Sequence, residues 1–167
     1  MAVSQAERYR CLAALVSSLP DSTTRKLNMT DTLPTAADIQ ARLLKGPYHQ
    51  WLGLEVTEVG EGSIKLTAKW REEWVVNVEG GYTHGGILAA LVDLTADWAL
   101  VSKTGKGVPT VDLRVDYHRA AKGDLRATGR VIKFGKQFSV AEAQVFDAEG
   151  HLVASGRGLY STPAPKA

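Results

Sequence analysis

The chain has one cysteine, Cys11, in 167 residues. A lone thiol forms no internal disulfide framework and no thiolate metal cluster. The four histidines (His49, His84, His118 and His151) are scattered, with no i, i+4 pair and no cysteine nearby. That spacing assigns no residue to a metal and calls for no cofactor. Net charge is +2, too small to argue for nucleic acid as a partner. The one long apolar run, Gly85 to Val101, has 17 residues and carries Asp93 and Asp97 in its second half, which makes a poor membrane span. A second, short run, Cys11 to Val16, sits at or below the lower limit of about 7 residues for a secretory core, and no A-x-A-like site follows it. A cytoplasmic protein without membrane attachment is expected. No internal repeat is visible.

A hydrophobic content of 44% with 23% charged residues is that of a globular chain long enough for one sizeable core. Residues 1–45 read as an N-terminal extension with short helices, 46–162 as the domain and 163–167 as a disordered tail. Within the extension, 4–18 has a helical pattern and 20–32 that of a linker, with Met29 an alternative start. The linker is too long for the tight turn of a helix-turn-helix. Thr35 is placed to cap a helix with Asp38 at its third position, and Gly46-Pro47 ends it. Two alternating strands around a Gly60-Glu61-Gly62 turn come next. The apolar helix follows, and then four strands, near 111–118, 125–134, 137–147 and 151–161. Alternation slips at Val131-Ile132, which predicts a bulge. The fold class is α+β, a curved antiparallel sheet wrapped around the one helix apolar enough to fill its concave face.

Chemistry concentrates in that helix, NVEGGYTHGGILAALVDLTADWALV. Gly85 and Gly86 open it, so their amides lie at its positive end, where a phosphate or a developing acyl oxyanion would bind. The alternative is a tight turn made for packing. Asp93 is a carboxyl within an apolar helix, either a base or nucleophile or a group held by a backbone or hydroxyl partner. Asp97 is its rival, nearer the helix end and read as linked to solvent. Gly85 and Asp93 are eight residues apart, about 12 Å at 1.5 Å per residue. One small reacting group cannot touch both in a single chain. If both act, Asp93 comes from a second subunit across a two-fold axis, which predicts a homodimer with shared sites. From Val111 to Lys136 seven Lys/Arg face three Asp, a local balance of +4. That is either a phosphate-facing edge or a set of solvated strand faces.

His-Gly-Gly followed by Asp nine residues after the His, in THGGILAALVD, resembles the hotdog-fold acyl-CoA thioesterases. Within them it resembles the phenylacetate-degradation (PaaI-like) type. PTVDLRVDYHRAAKGD and VIKFGKQFSVAEAQVFDAEGHLVASGRGLYS extend the likeness over about 48–161. The resemblance implies hydrolysis of an acyl-CoA thioester, with coenzyme A present only as part of the substrate. It makes Asp93 the general base or nucleophile and the Gly85 amide, beside Gly86, the group that polarises the carbonyl. Thr110 would place water beside Asp93, and His84 would order the loop. The family's Asn lies six residues before the His. That position is Val78 here, so Asn77 serves only if the loop is one residue longer. Arg119, Lys122, Gly135 and Lys136 match the region that meets the nucleotide and phosphates. Trp74, Val75 and Val76 line the acyl pocket or belong to the core. A dimer of dimers is expected. The alternatives are a non-catalytic acyl-CoA-binding regulator, for which 1–45 has no evident recognition helix, and a hydroxyacyl dehydratase.

Overall fold

The computed structural model describes residues 34–162. These belong to one compact unit, 33–167, and the helix, linker and tail expected at 4–18, 20–32 and 163–167 lie outside them. Helix α1 (Ala36–Leu43) begins at Thr35 as anticipated. The Thr35 hydroxyl accepts the Asp38 N–H at 3.2 Å, and the Asp38 carboxylate accepts the Thr35 N–H at 3.0 Å. This reciprocal cap satisfies amides that the first turn cannot pair internally. Ile39 and Leu43 are fully buried, so α1, placed before the expected boundary at 45, packs into the same core as the strands. Gln40 docks it by accepting the Val56 N–H and donating to the Leu54 carbonyl. Pro47 does more than end α1. It starts a second short helix, α2 (Pro47–Trp51), where its fixed φ and missing N–H cost nothing.

Strands β1 (Leu54–Gly60) and β2 (Ser63–Ala68) form the expected hairpin, with Gly62 at φ +74°. A short ribbon of β3 (Val75–Asn77) and β4 (Tyr82–Thr83), absent from the sequence reading, leads into helix α3 (Gly85–Thr104). Four strands then follow, β5 (Thr110–Tyr117), β6 (Leu125–Lys133), β7 (Phe138–Phe146) and β8 (Leu152–Ser161). All pairings in the main sheet are antiparallel, in the order β1-β2-β6-β7-β8-β5. The four late strands are therefore not consecutive in space. β5 crosses to the far edge and pairs with β8, leaving its other side open. The register of β6 on β7 shifts between Val131 and Lys133, at the expected bulge.

α3 touches all six strands, which requires the sheet to curve around it. Leu88, Leu91, Val92, Ala96, Ala99 and Leu100 are buried against Ile64, Leu66, Ala127, Ala143 and Val145. Each of the buried Leu, Val and Ile side chains contributes about 1.5–3 kcal/mol. The approach is close. A Cβ on Gly129 would stand 2.5 Å from the Thr95 carbonyl oxygen, so only glycine lets the helix backbone down onto β6 there. α3 runs to Thr104, three residues beyond the sequence estimate, and Gly105 ends it at φ +66°. Ser102 fastens this last turn to the β1–β2 hairpin by accepting the Gly62 N–H and donating to the Gly60 carbonyl. By length and hydropathy α3 also has the character of a membrane span, but here it is the wrapped core helix.

Candidate active site

The start of α3 is shaped by His84. Its backbone is extended (φ −60°, ψ 135°), and its Nδ1 accepts the Gly86 N–H at 2.8 Å. The ring proton therefore lies on Nε2. This corrects the expectation that both glycine amides are open, because the histidine occupies the Gly86 N–H. The Gly85 N–H, first of the helix, has no intrahelical acceptor and sits at the positive end of the helix. Across it stands Tyr117, whose ring would lie 3.3 Å from a Cβ at Gly85. The loop before the helix is held by backbone bonds, His84 N–H to the Trp74 carbonyl at 2.7 Å and Thr83 N–H to that of Ala121 at 2.9 Å. Asn77 closes its own hairpin, accepting the Gly80 N–H through Oδ1 at 2.6 Å. Trp74 is fully buried, Val75 half-buried and Val76 62% exposed, so these three do not form one continuous wall within a protomer.

Two turns along, Asp93 is half-buried and held from the sheet. Thr110 donates to its Oδ1 at 3.0 Å, and Tyr160 donates to the same oxygen at 3.1 Å. The Tyr160 hydroxyl is also 3.2 Å from the Asp93 carbonyl oxygen. Thr110 and Tyr160 face each other in the β5–β8 register, and opposed residues point to the same face. One pairing thus delivers two hydroxyls to one carboxylate. Thr110 binds Asp93 directly, a more specific arrangement than the expected placement of water. With both donors on Oδ1, Oδ2 receives no hydrogen bond among the described residues and is left for a reacting group. Tyr160 is absent from the sequence reading. Its signal was a tyrosine on the inward face of an alternating strand, where a buried phenol requires a partner. Gly158 makes room for it, since a Cβ there would meet the Tyr160 ring. Burial, and then the charge and hydrogen bond of Asp93, push the phenol up and keep it a donor.

Asp97 departs most from expectation. The residue keeps partial exposure, but its Oδ1 is sealed without a hydrogen-bond partner. Burial and then Asp93 push its carboxyl up to about 7, against a hydrogen bond from the Val108 N–H.

The basic stretch does not form one edge. Arg119 and Lys122 lie between β5 and β6, with the Lys122 ammonium 4.6 Å from the Tyr82 ring centre. Gly135 and Lys136 lie on the β6–β7 turn, at the opposite end of the nine-residue β6, about 30 Å away at roughly 3.3 Å per residue. The first pair is near the Gly85 end, where Ala121 holds Thr83. The second is near the Asp93 end, where Ser139 binds the Gly135 N–H and pairs with Tyr160. A surface concavity of about 590 Å³ on the outer face of β5, β8 and β7, among Arg114, Glu142 and Arg157, contains neither Gly85 nor Asp93. Asp147, Glu149 and His151 gather their donor atoms within 4.8 Å at the β7–β8 turn, a grouping the scattered histidines did not suggest. There the Asp147 carboxylate already accepts the His151 N–H and meets its ring.

Residues 80–154 match the thioesterase superfamily. A Halobacterium salinarum protein named as an esterase is 35% identical over 141 residues, spanning 78% of this chain and 93% of its own. The medium/long-chain acyl-CoA thioesterase YigI of Escherichia coli is 26% identical over 68% of this chain and 84% of its own. Among solved structures, a thioesterase-superfamily protein is 52% identical with a TM-score of 0.73, covering 75% of this chain and 96% of that one. The Escherichia coli PaaI protein, from the phenylacetic acid degradation operon, shares the fold at 22% identity and a TM-score of 0.70, over 81% of this chain and 99% of its own. The chain belongs to the thioesterase superfamily and carries its hotdog fold.

Proposed function

We propose that this protein hydrolyses acyl-CoA thioesters in the cytoplasm, with Asp93 as general base at a site shared between two subunits. The observation that carries the reading is the anchoring of Asp93, whose Oδ1 is fixed by Thr110 and Tyr160 while Oδ2 stays open. A carboxylate so held presents one defined oxygen to a water molecule. The Gly85 N–H supplies the complementary group, a fixed donor at a helix start for the oxyanion that forms as the carbonyl is attacked. Water gives a proton to Asp93 as its oxygen adds to the thioester carbon. The C–S bond then breaks, and the departing thiolate takes that proton.

Support for pairing comes from two features. Gly85 and Asp93 are about 12 Å apart on one helix, and β5 offers an open edge with Thr110 at its start. Each half-site also carries basic residues, Arg119 and Lys122 with the Gly85 end and Lys136, next to Gly135, with the Asp93 end. Two subunits would join these around the phosphates of one coenzyme A, and a dimer of dimers is the larger assembly proposed. The name of YigI favours an acyl-CoA substrate in this family. A panel of short aliphatic, long aliphatic and aromatic acyl-CoA thioesters tests the proposal through release of free coenzyme A. Turnover by the wild type and a loss of about 10³-fold in Asp93→Asn are expected. Undiminished kcat in that variant would remove Asp93 from the reaction, and binding without release in the wild type would favour an acyl-CoA-binding regulator.

A further inference from the structure

Asp97 has no place in the reaction as set out above, yet it is the most anomalous charged residue in the described chain. It follows Asp93 by four residues, so the two side chains share one face of α3, with Cβ atoms about 5–6 Å apart. Its Oδ1 has no hydrogen-bond partner and is closed off from solvent. Three groups face it. Asp93 does so from α3 itself, the Tyr160 hydroxyl from β8 and the Val108 N–H from the loop between α3 and β5. The tyrosine's proton is directed to Asp93, which leaves the Val108 N–H as the donor to Asp97. None of the ion pairs among the described residues includes it. A buried carboxyl beside a like charge, with one backbone donor, favours its neutral form.

We propose that Asp97 is a positioning residue for the site, a second carboxyl that sets the charge beside Asp93. Neutral, it leaves Asp93 as the one negative charge on that face of α3. Ionised, it adds a second negative charge one turn away. The first proton-transfer step removes charge from Asp93, since water's proton moves to that carboxylate. A neighbouring negative charge therefore favours the step, and Asp97 acts as a control on the strength of the base. Burial, with the Asp93 charge adding to it, brings the change of state of Asp97 to about pH 7. The effect on turnover rests on the thioesterase reading, whereas the coupling of the two carboxyls does not.

The wild-type chain supplies the first measurement. The side-chain carboxyl ¹³C resonance of Asp97, assigned by its loss in Asp97→Asn, is followed against pH. It is expected to titrate near 7 and to move down by about one pH unit or more in Asp93→Asn, where the like charge is gone. Titration below pH 5, or a midpoint unmoved in Asp93→Asn, overturns the pair. The second measurement is kcat against pH with a thioester that the wild type turns over. The wild type is expected to gain about threefold or more as pH rises through 7, the least that a unit charge at this distance produces. Asp97→Asn should stay at the acid-side level, and identical profiles in the two proteins overturn the role. If the wild type turns over no thioester, the functional reading fails, and the resonance decides the pair by itself.

Discussion

The first and third turns of α3 handle polar groups inside an apolar helix in different ways. At the first turn the chain uses backbone. Two glycines bring amides to the surface, and His84, two residues from Gly86, occupies one of them and leaves the other. At the third turn it uses side chains from elsewhere, since Asp93 is held by residues 17 and 67 positions away. The first arrangement is local and depends on the cap of a single helix. The second exists only once β5 has paired with β8 in the correct register. A slip of one residue would turn Thr110 and Tyr160 to the outer face and leave Asp93 without donors.

The largest expected effect comes from separating the two turns between subunits. Gly85→Pro removes the amide but keeps the helix, because proline is well suited to the first helical position and the extended His84 backbone is what a following proline requires. A loss of about 10²-fold in kcat is expected, typical of one lost oxyanion donor, while the proline Cβ, 3.3 Å from the Tyr117 ring, lowers the melting temperature only slightly because that ring is half exposed and can shift. Asp93→Asn and Gly85→Pro are then unfolded together and refolded as a mixture. Half the dimers are mixed, and each has one intact site of two, so turnover should recover to about a quarter of the wild type. A mixture no more active than the average of its parents would place the whole site within one chain.

The comparison also explains what the sequence made legible. The bounds of α3 at its start, the Thr35 cap, the β1–β2 hairpin and the Val131 bulge all follow from neighbours in the chain, and all were readable. Asp93 was readable because a carboxyl in an apolar helix is conspicuous wherever its partners come from. Tyr160 was not read, because its partner lies across the sheet and pairing order is not written in strand alternation. The same blindness hid the crossing of β5 to the far edge. It also made the basic residues from 114 to 136 look like one patch, although β6 holds their two ends apart. Asp97 was misplaced for a related reason. Its nearness to the helix end suggested water, but α3 continues to Thr104 and the loop through Val108 covers part of it.

That cover has a consequence for stability, smaller than the loss of either half-site. A carboxyl whose folded-state pKa is raised from 3.8 to about 7 binds more protons folded than unfolded between those values. Asp97 therefore has no effect below about pH 4, costs stability progressively as pH rises to 7, and costs a constant amount above that. After allowance for its partial exposure, the cost above pH 7 is on the order of 2 kcal/mol. Melting curves of wild type and Asp97→Asn should show a gap that widens from pH 4 to pH 7 in favour of the variant. A gap independent of pH would mean that the carboxyl does not change its charge on folding.

The finest distinction is between the two donors to Asp93. Tyr160→Phe keeps the ring in its place over Gly158 and removes only the hydroxyl, and Thr110→Val removes the other donor with little change in shape. Each should lower kcat about tenfold and stability by about 1 kcal/mol, the usual worth of one hydrogen bond. Because both bonds end on Oδ1, either one alone restricts rotation of the carboxylate. The double variant should therefore depart from the product of the single losses, by an interaction measurable in a double-mutant cycle on kcat. Losses that simply multiply would mean that the hydroxyls act independently, one on Asp93 and the other on the packing of β8. Were Tyr160→Phe to melt earlier but turn over thioester like the wild type, Thr110 alone would orient the base. The third turn would then depend on one strand edge, as the first depends on one histidine.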